Sequence, residues 1–153
     1  MNAREKAVVF GGEPVDGGIS SGEDLVGRKL GGLGKSALIL VVEDEEPIRF
    51  LVTEGLRSLG YSTLEAETAS AALTLLEKNP VDLVFTDVRI PGDMDGAELA
   101  FAIQRRWPGI EIVVGSGNFD PKSARLPMGS SFISKPYRLD SLKAVITRHL
   151  SKH

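Results

Sequence analysis

The chain has no cysteine. Disulfides, thiolate metal sites and a cysteine nucleophile are therefore excluded together, a usage compatible with the cytoplasm. No apolar run approaches the roughly 18 residues that span a bilayer, and the N-terminus lacks the apolar stretch of a secretory signal. Neither sign of charge dominates: 18 Lys and Arg stand against 21 Asp and Glu, a formal net charge of -3. That balance carries no footprint for nucleic acid or for an anionic membrane, so neither is expected as a partner. What is present is ordinary for a globular protein: 42% hydrophobic and 25% charged residues over a length of 153. One buried core with an extension fits that size.

The first 36 residues hold nine of the 17 glycines, in clusters such as Gly11-Gly12, Gly17-Gly18 and Gly31-Gly32. Their apolar residues keep neither a 2.0 nor a 3.6 period, and such a segment buries too little surface to offset its ordering entropy. Residues 1–36 are read as a flexible extension with one candidate strand at Ala7–Phe10, and residues 37–153 as the folded domain.

From Ala37 short apolar runs alternate with helical periods. Leu38–Val42 is a continuous apolar run, the mark of a strand buried on both faces. Pro47 suits the first turn of a helix on which Ile48, Leu51, Val52, Leu56 and Leu59 recur, and Gly60 stops it. Tyr61–Leu64 reads as a strand, then Ala69, Ala72, Leu73 and Leu76 as a helix ended by Asn79-Pro80. Val81–Thr86 is a strand, Ala97 to Trp107 a helix, Ile110–Val114 a strand, Ser130–Ser134 a strand and Leu139–Leu150 a final helix. Alternation of this kind implies a doubly wound, five-stranded parallel α/β sheet. In such sheets the active site lies beyond the carboxyl ends of the strands.

At those ends stand Glu43-Asp44, Asp87, Ser116 and Lys135-Pro136. Three carboxylates packed together repel, so they need a cation or must raise a pKa. Oxygen-only ligands favour a hard ion, with Mg2+ the usual choice where phosphate chemistry follows. An aspartate beside that ion can attack a phosphoryl group and become an acyl phosphate. A lysine and a hydroxyl nearby would spread the charge of the transferred oxygens.

Leu40-Val41-Val42-Glu43-Asp44-Glu45, Phe85-Thr86-Asp87-Val88-Arg89-Ile90-Pro91-Gly92, Ser116-Gly117 and Ser134-Lys135-Pro136 together resemble the motifs of two-component response-regulator receiver domains. The likeness covers about residues 37 to 150. It implies a flavodoxin-like three-layer sandwich in which Asp87 is the phosphoacceptor and Asp44 a direct Mg2+ ligand. Glu43 would hold the ion through water, and Arg89 through its backbone carbonyl. Ser116 and Lys135 would contact the phosphoryl group, and Phe132 falls at the family's switch aromatic. The implied partners are a sensor histidine kinase or phosphotransfer protein as donor and a downstream protein as reader. The kinase is expected to dock on the face formed by the first helix.

Two features depart from the family pattern. The stretch from Ser116 to Lys135 is short and carries Pro121, Pro127 and Gly129, so the fourth helix is expected to be reduced to a loop or a turn or two. Arg89 places a long cation two residues after the phosphoacceptor, where it is expected to tune phosphate lifetime. Two other motifs are decoys. Gly31-Gly32-Leu33-Gly34-Lys35-Ser36 has the wrong spacing for a P-loop, with Lys29 where a glycine is needed, and it opens a strand rather than a helix. Asp93-Met94-Asp95-Gly96 matches the D-x-D-G of haloacid-dehalogenase-like phosphatases. It follows Pro91-Gly92 rather than a buried strand, so Asp95 is read as a helix cap.

The last helix ends about three residues before the C-terminus, and the extension carries no helix-turn-helix or basic stripe. The expectation is a stand-alone receiver, a phosphoacceptor rather than an enzyme that turns over a substrate. A phosphate sink or shuttle is a close variant. The Leu126-Pro127 region and Lys135-Pro136-Tyr137 also resemble the receivers of hybrid histidine kinases. The competing class is a pseudo-receiver, an interaction module that keeps the fold without the chemistry.

Overall fold

A computed structural model describes residues 36–117 and 125–151. Among them nine elements alternate: β1 (Leu38–Val42), α1 (Glu46–Ser58), β2 (Ser62–Ala66), α2 (Ala69–Lys78), β3 (Leu83–Asp87), α3 (Gly96–Arg106), β4 (Glu111–Ser116), β5 (Ser131–Ser134) and α4 (Leu139–Leu150). The strands form one sheet in the order β2-β1-β3-β4-β5, and every pairing is parallel. This is the flavodoxin-like arrangement. The order reverses between β1 and β3, and that switch point opens a crevice at their carboxyl ends.

Strand periodicity divides the core in two. Leu40 and Val42 of β1, Val84 of β3 and Ile112 and Val114 of β4 face α2 and α3, meeting Leu75, Leu76, Leu99 and Ile103. Ile39 and Val41, Leu83 and Phe85, and Val113 face the other way, against Val52 and Leu56 of α1 and Leu142 and Ile146 of α4. Helices thus cover both faces, which gives the three-layer sandwich.

Local signals fix the helix ends. Pro47 lies in the first turn of α1, and Gly60 beyond its end takes φ +100°, open to glycine without strain. Thr68 caps α2 by accepting from the Ala71 N–H. Asp95 caps α3 in a full capping box, bonding the Glu98 N–H while the Glu98 carboxylate accepts from the Asp95 N–H. The cap reading of Asp95 holds.

Several boundaries differ from expectation, where strand pairing or a local turn overrides composition. β2 does not run over Tyr61–Leu64 but over Ser62–Ala66, since Glu65 pairs with Val41 and Ala66 with Val42. β3 begins at Leu83 rather than Val81, whose N–H turns back to the Asn79 carbonyl at 3.0 Å. β4 covers Glu111–Ser116 instead of Ile110–Val114, carried on by Asp87↔Gly115 and Ser116↔Ser134. β5 omits Ser130, whose N–H and hydroxyl both return to the Pro127 carbonyl. Leu51 and Leu59 do not join the core face of α1; they are 54% and 38% exposed, beside Phe50 at 63%. Trp107 caps α3 rather than extending it, with the Arg106 guanidinium 4.3 Å above its ring.

The expectations for the glycine-rich extension, the strand at Ala7–Phe10 and the Gly31–Lys35 motif lie outside the described residues. So do residues 118–124, where a shortened fourth helix or loop is expected from the sequence. Among the described residues between β4 and β5, Gly117 and 125–130, there is no helix.

Candidate functional site at the carboxyl edge of the sheet

β1 and β3 are adjacent and parallel, so their first residues beyond the apolar run emerge side by side. Carboxylate oxygens of Glu43, Asp44 and Asp87 all lie within 4.8 Å of one another. Glu43 and Asp87 are buried, at 2% and 4% exposure, while Asp44 is open to solvent. β5 delivers the cation. Lys135 Nζ stands 3.2 Å from Asp87 Oδ2, 3.6 Å from Glu43 Oε1 and 3.7 Å from Glu45 Oε1.

One ammonium among four carboxylates leaves net negative charge in a partly buried space. Burial pushes the Glu43 carboxyl above its ordinary range; the Glu45 N–H opposes this and the Asp87 charge adds to it. Burial likewise raises Asp87, against the lowering effect of Lys135 and of the Arg89 backbone N–H. For Lys135 burial pulls downward, but the hydrogen bond to Asp87 and the charges of Glu43, Asp87 and Glu45 together outweigh it and hold the ammonium up. Two buried carboxyls raised by desolvation, with an exposed third beside them, form an oxygen-only donor set short of positive charge. A hard cation would correct that imbalance. The cluster could hold a metal ion, and its residues fit one.

Ser116 ends β4 and is buried at 3% exposure, with its carbonyl accepting the Lys135 N–H at 3.1 Å. That bond joins two of the expected site residues through the backbone. Arg89 is exposed, with its N–H directed at the Asp87 carboxylate. Phe132 is half-buried on β5, in register with Val114 of β4. The structure therefore brings Glu43, Asp44, Asp87 and Lys135 into one cluster, with Ser116 and Arg89 bonded to its members. Phe132 lies on β5 three residues before Lys135, half-buried and outside that cluster.

The β3–α3 loop is seated by a close approach. The Gly96 N–H bonds the Val88 carbonyl at 2.7 Å, and a β-carbon at 96 would fall on the Asp87 carbonyl. The loop thus passes back directly against the backbone that carries Asp87.

Sequence reasoning missed three neighbours. Glu45 shares Lys135 with the acid pair. Tyr137 packs edge-on against Phe85, with centroids 5.1 Å apart, and its ring lies across Gly115. Burial, followed by the charges of Asp87, Glu43 and Glu45, drives its phenol far above the usual tyrosine range. Arg49 of α1 bonds the Glu43 carbonyl at 2.9 Å. Only Glu45 had a local signal, as the third acid in a row.

With this fold and cluster in view, the family is clear. The family model described as response regulator receiver domain matches residues 39–147, and the chain belongs to that family, the receivers of two-component response regulators. Among relatives, it is 35% identical over 116 residues to the nitrogen assimilation regulatory protein NtrX of Azorhizobium caulinodans, covering 73% of this chain and 26% of that protein. It is 34% identical over 125 residues to the sensor kinase CckA of Brucella abortus, covering 78% and 13% respectively. The chain therefore spans about a quarter or less of these curated relatives. The crystal structure of the NtrX receiver domain from Brucella abortus aligns with a TM-score of 0.67 at 32% identity, over 75% of this chain and 99% of that one. None of the described helices is long and apolar enough to cross a membrane.

Proposed function

We propose that this chain accepts a phosphoryl group on Asp87 from the phosphohistidine of a sensor kinase or phosphotransfer protein, and that a downstream protein reads the phosphorylated surface. The observation that carries this reading is the Lys135 ammonium 3.2 Å from a buried Asp87 carboxylate, inside a cluster of three acids. An ammonium in that place is matched to the oxygens of an incoming phosphoryl group.

Asp44 and Asp87 would hold Mg2+ directly, Glu43 through water, and Arg89 through its backbone carbonyl. When bound, the ion neutralises charge on the transferring oxygens. An Asp87 carboxylate oxygen attacks phosphorus and forms the P–O bond of an acyl phosphate as the P–N bond breaks. The departing imidazole nitrogen keeps the bonding pair, and the other ring nitrogen already carries its proton. Lys135 passes from the Asp87 carboxylate to a phosphoryl oxygen, and the Ser116 hydroxyl donates to another. Displacement of Ser116 toward the phosphoryl group makes room for Phe132 to turn inward, a population shift driven by contacts made only in the phosphorylated state. Arg89, exposed two residues after Asp87, tunes how quickly water removes the phosphate; loss of its side chain in Arg89→Ala would change the decay rate. The chain acts as a phosphoacceptor, without sustained turnover of a substrate and without direct contact to nucleic acid.

The reading locates the phosphate at one residue, so borohydride trapping tests it. Borohydride reduces an acyl phosphate of aspartate to homoserine, releasing phosphate. Peptide mapping after exposure to acetyl phosphate and Mg2+ is expected to find homoserine at position 87. Homoserine at 44 or 95 would overturn it, as would unmodified aspartate throughout together with no response to beryllofluoride.

A further inference from the structure

Four acids stand in succession where β1 passes into α1: Glu43, Asp44, Glu45 and Glu46. Their mutual repulsion works against any fixed geometry for the pair that lines the site. The turn also lacks the usual restraint, because Glu45 at the N-cap of α1 makes no side-chain capping bond. Something else must hold it.

That restraint is Arg49, one turn into α1. Its guanidinium uses three nitrogens on three residues: NH1 donates to the Glu43 carbonyl at 2.9 Å, Nε to Glu65 Oε1 at 2.8 Å, and NH2 lies 3.6 Å from Glu67 Oε2. Only 11% of the side chain is exposed. Glu65 and Glu67 belong to the end of β2 and the turn after it. The sheet's last rung here is the Glu43 N–H to the Ala66 carbonyl, at 3.0 Å. Beyond it the guanidinium takes over, bridging the end of β1 to the end of β2.

The carbonyl it holds belongs to the peptide unit joining Glu43 to Asp44. That unit is planar, so a bond that fixes its oxygen also fixes the direction of the chain at both flanking α-carbons. Both acid side chains hang from those carbons. The Glu45 N–H, which donates to Glu43 Oε2 at 3.1 Å, is aimed by the same turn. Glu65 and Glu67 already balance the arginine's charge, so its effect on the site is geometric.

We infer that Arg49 is a positioning residue, holding the Glu43–Asp44 peptide so that both carboxylates are preorganised for a divalent cation. This rests on the metal-dependent reading above. A lysine cannot replace it, because one ammonium does not reproduce a rigid planar fork.

The test is Mg2+ titration of the full chain, followed by NMR, for wild type, Arg49→Lys, Arg49→Ala and Arg57→Ala. Arg57 shares Glu65 with Arg49, pairs with Glu54 and bonds Thr63, and none of these three partners belongs to the 43–44 peptide. Both Arg49 variants are expected to bind Mg2+ on the order of ten-fold more weakly, with faster exchange of the metal-free Glu45 amide. Arg57→Ala is expected to match wild type in both. Wild-type affinity in Arg49→Lys, or equal weakening in Arg57→Ala, overturns the inference alone. No Mg2+ binding by wild type overturns the metal reading, and this inference with it.

Discussion

Tyr137 lies across Gly115, its buried hydroxyl in the space that a β-carbon at 115 would occupy. Among the described residues that hydroxyl has no hydrogen-bond partner, and it lies against Gly115, the residue before Ser116 at the end of β4. The two residues are 22 positions apart and each makes sense only through the other. A tyrosine fits because residue 115 has no side chain.

A buried donor without an acceptor costs about 1–3 kcal/mol. Tyr137→Phe removes it and keeps the edge-on contact with Phe85, so urea denaturation should show a gain of about 1 kcal/mol. Gly115→Ala should lose about 1–3 kcal/mol by overpacking. In the Tyr137→Phe background that loss should shrink, because the phenolic oxygen is the nearest obstacle. Additive effects would mean that the two side chains do not share the space.

The raised carboxyl pKa values set a pH dependence. Glu43 and Asp87 bind protons more readily folded than unfolded, chiefly because burial disfavours their charge. Between the ordinary carboxylate range and the raised values, the folded state therefore holds more protons, and stability falls as pH rises. The metal-free protein should melt at a higher temperature in mild acid than at neutrality with respect to these two groups, and Mg2+ should reduce the difference. Asp87→Asn should raise the neutral-pH melting temperature without metal and flatten the slope. A slope unchanged by that substitution would count against the assignment.

The β3–α3 connection makes two separable predictions. Asp95→Ala loses the capping box of α3 and should cost about 1 kcal/mol, while leaving phosphoryl acceptance intact. That outcome would also dispose of a phosphatase role for Asp93-Met94-Asp95-Gly96. Gly96→Ala forces a β-carbon onto the Asp87 carbonyl, a backbone obstacle that cannot rotate away. A loss of about 3 kcal/mol or more is expected, read by urea denaturation.

The site was legible in the sequence because buried parallel strands are largely apolar runs, and the acidic residue that follows β1's run or ends β3 marks the carboxyl end. Glu43 after Val42 and Asp87 after Thr86 could be found this way, and the sheet order then set them side by side. The helix caps were equally plain, since Asp95 and Glu98 act within one turn. The core face of α1 was not. Leu51 and Leu59 fit the helical period as well as Val52 and Leu56 do, and only packing against the sheet and α4 decides which face is buried. Strand ends were missed where a charged residue continued a ladder, as Glu65 does with Arg49 beside it. The contacts of Tyr137 with Gly115 and of Arg49 with the Glu43 carbonyl depend on side-chain reach across elements, for which one sequence carries no local signal.

The central claim is that Asp87 accepts a phosphoryl group in a cation-dependent site. Intact-mass spectrometry after incubation with acetyl phosphate and Mg2+ tests it most directly, comparing wild type with Asp87→Asn and repeating each with a chelator. Beryllofluoride, which mimics the bound phosphoryl group and does not hydrolyse, covers the case of a short-lived adduct through the NMR signal of Trp107. The account predicts one added phosphoryl group, or the matching beryllofluoride shift, in wild type with Mg2+ alone. Neither signal in wild type, or the same signal in Asp87→Asn, would contradict it and leave a receiver fold that works through binding.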